Sequence, residues 1–224
     1  MIATEPLQVH WLGRIGFADA LARQEETLQR KRALANAPDE LLLLEHDPVY
    51  TIGRTSDHSS LRGAQHLPYP LFEINRGGQA TYHGPGQLVG YFLLDLRRHG
   101  QDLHRYLRWI ENLLIEFIAR HQIQATTRPG LTGVWVEDRK IASIGVGVRH
   151  WITMHGFALN LDGDLSPFDQ ITACGIANVK MTSLARETGI KFAVEAVGRE
   201  MAALAIKSLD KLRPRSSTAV ELAV

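Results

Sequence analysis

The sequence predicts an α+β fold, with mixed, largely antiparallel β-sheets and helices packed on one side, and three observations carry that expectation. Apolar runs of strand length recur throughout the chain, and several sit at hairpin spacing. Helical periodicity is confined to a few longer stretches. The two kinds of segment do not alternate in the regular βαβ order that a parallel sheet needs.

Leu7 to Gly13 reads as a short strand, and Phe17, Leu21 and Leu28 then recur at helical spacing until Asn36-Ala37-Pro38 stops the run. Leu41 to Leu44 is a buried-strand candidate, broken by the turn pair Asp47-Pro48 and resumed by Val49 to Ile52. Thr55 to Gln65 is polar and reads as a loop. Phe72 to Ile74 is a strand, Arg76 to Gln87 is glycine-rich and irregular, and Leu88 to Leu96 is again strand-like. Leu103, Leu107, Ile110, Leu114 and Phe117 keep one apolar face, predicting a helix over Asp102 to His121. Val134-Trp135-Val136 and Ile141 to Val148 flank Glu137-Asp138-Arg139 as a hairpin, which puts Lys140 where its second strand begins. Ile152 to Leu161 is a further strand. Thr182 to Glu187, ending at Gly189, reads as a short helix, and Val194, Val197, Met201, Leu204 and Leu209 mark a longer one. Residues 1–213 are expected to form one domain and 214–224 a frayed tail.

Composition narrows the function. The chain has 224 residues, 45% hydrophobic and 22% charged, which are ordinary globular values. Its 25 basic and 24 acidic side chains give a net charge of +1, which argues against a nucleic-acid partner. A single cysteine forms no internal disulfide and no multi-cysteine metal site, so a reducing, cytoplasmic setting is expected with no metal and no cofactor. Met1 to Trp11 does not read as a signal peptide, and no apolar run has the length of a membrane span. Phosphate-loop and zinc-helix motifs are absent, and Ala142-Ser143-Ile144-Gly145 lacks the leading glycine of a serine nucleophile elbow. Gly84-Pro85-Gly86-Gln87-Leu88-Val89-Gly90 carries valine where a dinucleotide fingerprint needs its third glycine.

What remains is a small set of chemically suggestive positions. The run Arg76-Gly77-Gly78-Gln79-Ala80-Thr81-Tyr82-His83-Gly84-Pro85-Gly86-Gln87 combines glycines, which let backbone approach a ligand, with directed polar side chains. A tight turn is the alternative account of the same run, and the ligand-facing one is preferred. Gly145, Gly147 and Gly156 interrupt strand-like segments, as if something approaches the sheet there; a ligand chain and β-bulges explain them equally well. Taken alone, Cys174 is most simply a small buried hydrophobe and Lys140 a solvated charge.

Together these segments resemble the lipoyl(octanoyl) transferases, which share a fold with lipoate and biotin protein ligases. The resemblance rests on Glu45-His46-Asp47-Pro48-Val49-Tyr50-Thr51-Ile52-Gly53-Arg54, on Arg76-Gly77-Gly78 with Thr81 to Gln87, on Gly133-Val134-Trp135-Val136 with Lys140 to Gly145, on His155-Gly156-Phe157-Ala158-Leu159-Asn160, and on Cys174-Gly175. These occur in family order and cover roughly residues 40–185. The resemblance implies a biotin/lipoate protein ligase-like catalytic fold and transfer of octanoyl from octanoyl-acyl carrier protein to a lysine of lipoyl domains. The acceptors would be the 2-oxoacid dehydrogenases and the glycine cleavage H protein, with no nucleic acid or membrane involved. It implies that Cys174 carries the acyl group, that Lys140 assists, and that Arg76, Gly77, Gly78, Gln79, Ala80, Thr81, Tyr82 and His83, with Ser143-Ile144-Gly145 and Gly156-Phe157-Ala158, bind substrate. The chain departs from the family at Ala173 and Phe92, where proline is frequent.

The chemistry fits those residue types. Transfer between thioesters needs the thiolate, yet only about 3% of an ordinary cysteine is ionised at pH 7. A neighbouring ammonium favours that form most strongly where water is excluded. Burial of an eight-carbon chain contributes about 5 kcal/mol, at about 0.8 per methylene. Arg97, Arg98, Arg105 and Arg108 are candidate docking residues for acidic carrier or lipoyl domains, although a solvated helix face accounts for each. Two other readings use the same residues differently: an ATP-dependent lipoate or biotin ligase would form an acyl-adenylate without Cys174, and a binding module would hold acyl-carrier or lipoyl domains without turnover.

Overall fold

The computed structural model describes residues 7–34, 36–54, 57–62 and 66–213. The expected frayed tail lies outside the described residues, as does part of the polar loop at 55–65. In chain order the strands and helices are β1 (Gln8–Ile15), α1 (Phe17–Ala33), β2 (Glu40–His46), β3 (Val49–Ile52), β4 (Leu71–Glu73), β5 (Thr81–His83), β6 (Gln87–Leu93), α2 (Leu103–Ala119), β7 (Thr126–Arg128), β8 (Leu131–Val136), β9 (Arg139–Arg149), β10 (Ile152–Asn160), β11 (Lys180–Met181), α3 (Leu184–Thr188) and α4 (Val194–Ser208).

The large sheet runs β1-β2-β6-β10-β9-β8-β7, with β11 beside β9; a small sheet runs β4-β3-β5. Apart from the parallel pairs β1–β2, β3–β4 and β9–β11, neighbouring strands are antiparallel. The fold is thus the mixed, largely antiparallel α+β arrangement that the apolar pattern predicts. Three short strands, β5 inside the glycine-rich run, β7 and the two-residue β11, are not visible in that pattern. Strands this short cannot show a period.

The helices do not all lie on one side. In β2, Leu41 and Leu43 enter one core with Trp109, Ile110 and Phe117 of α2 and Val197, Met201 and Leu204 of α4. Leu42 and Leu44 point the other way, into a second core with Ala20 and Leu28 of α1. An unbroken leucine run is what a strand buried on both faces requires, and each face needs its own helix. A third core, with Tyr50, Tyr82 and Phe168, lies beneath the small sheet.

A buried charge network closes the α1 edge. Lys31 Nζ donates to Asp39 Oδ1 at 3.0 Å, His99 Nε2 donates to Asp39 Oδ2 at 2.7 Å, the Asp95 amide donates to Oδ1 at 2.9 Å, and Arg98 also binds Oδ1. Burial opposes ionisation of Asp39, but the His99 hydrogen bond and the Lys31 charge outweigh it and hold the carboxyl well below the usual range. Asp39→Asn leaves Lys31 buried without its counter-charge, so a loss of about 3–5 kcal/mol is expected in urea unfolding. A loss under about 1 kcal/mol would contradict this account of the network.

Candidate active site

A cavity of about 220 Å³ opens between β9 and β10 of the large sheet, the loop before β5, and the turn that carries Cys174. Four local features aim side chains into it.

The first is a β-bulge. Val134 pairs with Ala142, but Trp135 pairs with Lys140, so Ile141 is an extra residue on β9. Strict alternation would send Lys140 and Ser143 to opposite faces; the extra residue brings both to the cavity. Lys140 is 1% exposed. Its ammonium donates to the Thr132 carbonyl at 2.9 Å and lies 5.4 Å from the centre of the Trp135 ring, both neutral partners. Gly133 makes room for this side chain, since a methyl there would come within 2.7 Å of Lys140 Cε. Glu111 of α2 is also buried, and it accepts the Gly133 amide at 3.2 Å, which pins the strand where Lys140 docks.

The second is the turn Ala173–Gly175. Cys174 takes φ 57°, a left-handed conformation uncommon for a side-chain-bearing residue, and Gly175 follows at φ 71°. The Cys174 amide donates to the Ala80 carbonyl at 2.7 Å, and the Gly175 and Ile176 amides close on Thr172 and Ala173. These bonds hold the turn with alanine at position 173. Cys174 Sγ lies 3.6 Å from Ser143 Oγ on β9.

The third is β5. Thr81 and His83 line the cavity, whereas Tyr82 points into the third core, as the period of two requires. His83 Nδ1 donates to Gln87 Oε1 at 2.8 Å. Burial, then the nearby His46, pushes His83 down to about 3.

The fourth is the loop 75–79. Gly145 and Gly147 on β9 admit this loop: a methyl on Gly145 would meet the Arg76 side chain at Cδ, 2.8 Å away, and one on Gly147 would meet the Asn75 carbonyl at 2.5 Å. Gly156 lies against the Gly90 carbonyl of β6, at 2.2 Å from where its Cβ would sit. Close packing of protein on protein therefore explains the interrupting glycines, although Gly145 and Gly156 also border the cavity.

The cavity thus gathers Arg76, Gly78, Gln79, Thr81 and His83 of the glycine-rich run, Ser143, Ile144 and Gly145, Gly156, Phe157 and Ala158, together with Lys140 and Cys174. Three expected residues do not line it. Gly77 spends its amide on the Val146 carbonyl, Ala80 is buried in the third core and spends its carbonyl on Cys174, and Tyr82 faces away. Arg97 and Arg98 are engaged with Asp95 and Asp39, and Arg105 and Arg108 lie on α2, away from the cavity lining.

Phe17, Tyr91 and His155 also line the cavity, although none of them had been assigned a site role from the sequence. His46 stands behind them, donating from Nδ1 to the Ile15 carbonyl at 3.0 Å and accepting from the Tyr91 hydroxyl at 2.7 Å through Nε2. Both carbonyl acceptors, Ile15 O for His46 and Gln87 Oε1 for His83, fix neutral tautomers. Burial pushes His46 down to about 4; burial, then the charges of Arg76 and Arg149, pushes His155 down to about 3. His46, His83 and His155 each lie in a segment that carries the family resemblance, but only His83 was expected to bind substrate. No group of three or more metal-ligating side chains occurs among the described residues.

Comparison with known proteins places the chain in a family. Residues 17–204 match the model of the lipoyl protein ligase A/B catalytic domain. The chain belongs to this family. The octanoyltransferase of Geobacter metallireducens is 46% identical over 213 residues, covering 95% of this chain and 98% of that one. The octanoyltransferase of Geobacter sulfurreducens is 52% identical over 178 residues, covering 80% and 74%. As a member of the lipoyl protein ligase A/B family with such relatives, the protein is an enzyme of the acyltransferase class. A bipartite lipoate protein ligase from Thermoplasma acidophilum superposes with a TM-score of 0.70 at 16% identity, covering 92% of this chain and 84% of that one. A biotin protein ligase from Aquifex aeolicus superposes at 0.56 and 14% identity, covering 93% and 72%. Those two likenesses are of fold: the family scaffold is the biotin/lipoate ligase catalytic domain.

Proposed function

We propose that the enzyme transfers an octanoyl group from octanoyl-acyl carrier protein to a lysine of a lipoyl domain through a thioester on Cys174, in the cytoplasmic synthesis of protein-bound lipoate. The observation that carries this reading is the meeting of Cys174 and Lys140 in one sheltered cavity, in a chain close in sequence to octanoyltransferases. Sheltering matters because an ammonium favours a nearby thiolate by about 1 kcal/mol at 4 Å in bulk water, but by about 4 at an effective dielectric near 20.

The reaction then runs as two acyl exchanges. With the thiol proton held by Lys140, Cys174 Sγ attacks the donor thioester, the C–S bond to the carrier breaks, and the departing sulfur takes the proton from Lys140. The now neutral Lys140 accepts one proton from the acceptor ammonium. The freed amine attacks the Cys174 thioester, the amide forms, Cys174 leaves as thiolate, and the amine's second proton passes to solvent. His83, held neutral with its Nδ1 committed to Gln87, stays out of these transfers.

The test is intact-mass spectrometry after mixing with octanoyl-acyl carrier protein in the absence of ATP. A single octanoyl addition is expected on the parent protein and none on Cys174→Ser, whose turnover should fall by at least about a thousandfold. An adduct that persists in Cys174→Ser, or an acyl transfer that needs ATP, would favour the ligase reading instead.

A further inference from the structure

Arg76, like Lys140, is a buried cation among neutral groups. The residue is 8% exposed, and among the described residues its hydrogen-bond acceptors are neutral: the carbonyls of Thr51 at 3.0 Å, Gln79 at 3.1 Å and Gly77 at 2.9 Å, and the Thr51 hydroxyl at 2.9 Å. A buried cation without an anionic partner is costly, and it persists where an anion forms in use.

The register of β9 says which anion. Ser143 and Gly145 stand two residues apart on the cavity face of that strand, about 7 Å along it. Cys174 Sγ sits over the first at 3.6 Å from Ser143 Oγ, and the Arg76 side chain lies against the second. The other titratable groups lining the cavity are Lys140, His83, His155 and Tyr91. His83 and His155 are held neutral, and burial keeps the Tyr91 phenol protonated. Arg76 and Lys140 are therefore the cations that line the cavity with Cys174, and no carboxylate lines it among the described residues.

We propose that Arg76 is a second cation for Cys174, stabilising the negative charge that forms on its sulfur before acylation and on the acyl carbonyl during it. Burial disfavours the Arg76 cation, and the groups that favour it are Cys174 first and Tyr91 second. The loop Arg76 to Gln79 thus does more than shape a pocket: its hydrogen bonds fix a charge whose only unsatisfied need is an anion. This assignment rests on Cys174 as nucleophile but does not require it to carry octanoyl.

Iodoacetamide alkylation of Cys174, followed by mass across pH 6 to 10, tests it without any acyl substrate. Arg76→Gln keeps a donor for the loop carbonyls and removes the charge; Arg76→Lys keeps the charge. At pH 7 the Gln variant should react at least about tenfold more slowly than the parent, and the Lys variant within about threefold of it. Near pH 10, where thiols ionise unaided, the three rates should converge. Thermal unfolding of each variant establishes that it is folded. Equal rates at pH 7, or a deficit of the same size at every pH, would overturn the proposal, the second because it would mean altered access rather than lost charge. A normal alkylation profile in the parent with no octanoyl adduct would instead count against the thioester reading alone.

Discussion

Lys140→Met is expected to lower kcat/KM for octanoyl transfer by at least about a hundredfold while leaving the unfolding temperature unchanged or raised. The two effects separate because Lys140 is buried against neutral partners, the Thr132 carbonyl and the Trp135 ring. Methionine fills nearly the same volume without the cost of burying an ammonium, so the fold has nothing to lose. The proposed reaction does: in it Lys140 holds the thiol proton in the first exchange and receives one from the acceptor in the second, and a positioned proton-transfer group typically contributes 10²- to 10⁴-fold. Steady-state kinetics and calorimetry on one preparation check both halves. Retained activity would remove Lys140 from the chemistry. Lost activity with a large drop in unfolding temperature would mean that the side chain is structural.

Acid should unfold the protein cooperatively between about pH 6 and pH 4. His46 is held down to about 4 in the folded chain, and His83 and His155 to about 3. An unfolded imidazole titrates near 6.5, so in this window the unfolded chain binds protons that the folded chain does not, and stability falls as pH falls. At pH 5 each ring costs about 2 kcal/mol, or about 6 for three, against the 5–15 kcal/mol that a domain commonly has. Above about pH 7 the contribution is fully present and flat. Far-UV circular dichroism against pH measures the transition, and His155→Gln should move it to lower pH. Native structure with unchanged thermal stability at pH 4 would refute the assignment of neutral rings.

The strand and helix content was largely legible in the residues, because Leu41 to Leu44, Phe17 to Leu28 and Leu103 to Phe117 carry their periods openly. The two side chains proposed to react, Cys174 and Lys140, were marked only through the family resemblance, and the structure brings both to one cavity. What the pattern could not carry is where an extra residue or a distant partner decides direction. Lys140 and Ser143 share a face only because Ile141 bulges out of register, and a bulge depends on the pairing with Val134 and Trp135 rather than on any local signal. The left-handed Cys174 turn is held by Ala80, far away in sequence. His46 and Tyr91 meet across 45 positions, so the buried imidazole cluster leaves no spacing to read. The helices on both sheet faces follow from Leu42 and Leu44, whose burial is visible but whose partner helix α1 is not.

The most direct test of the central claim is a single-turnover chase. Octanoyl-enzyme is formed from octanoyl-acyl carrier protein, freed of donor, and mixed with a lipoyl domain without ATP while both masses are followed. The octanoyl mass should leave Cys174 and arrive on the acceptor lysine at one and the same rate, no slower than steady-state turnover. An enzyme adduct that stays in place, or one that decays to free octanoate while the acceptor remains unmodified, would mean that the Cys174 thioester is not the intermediate.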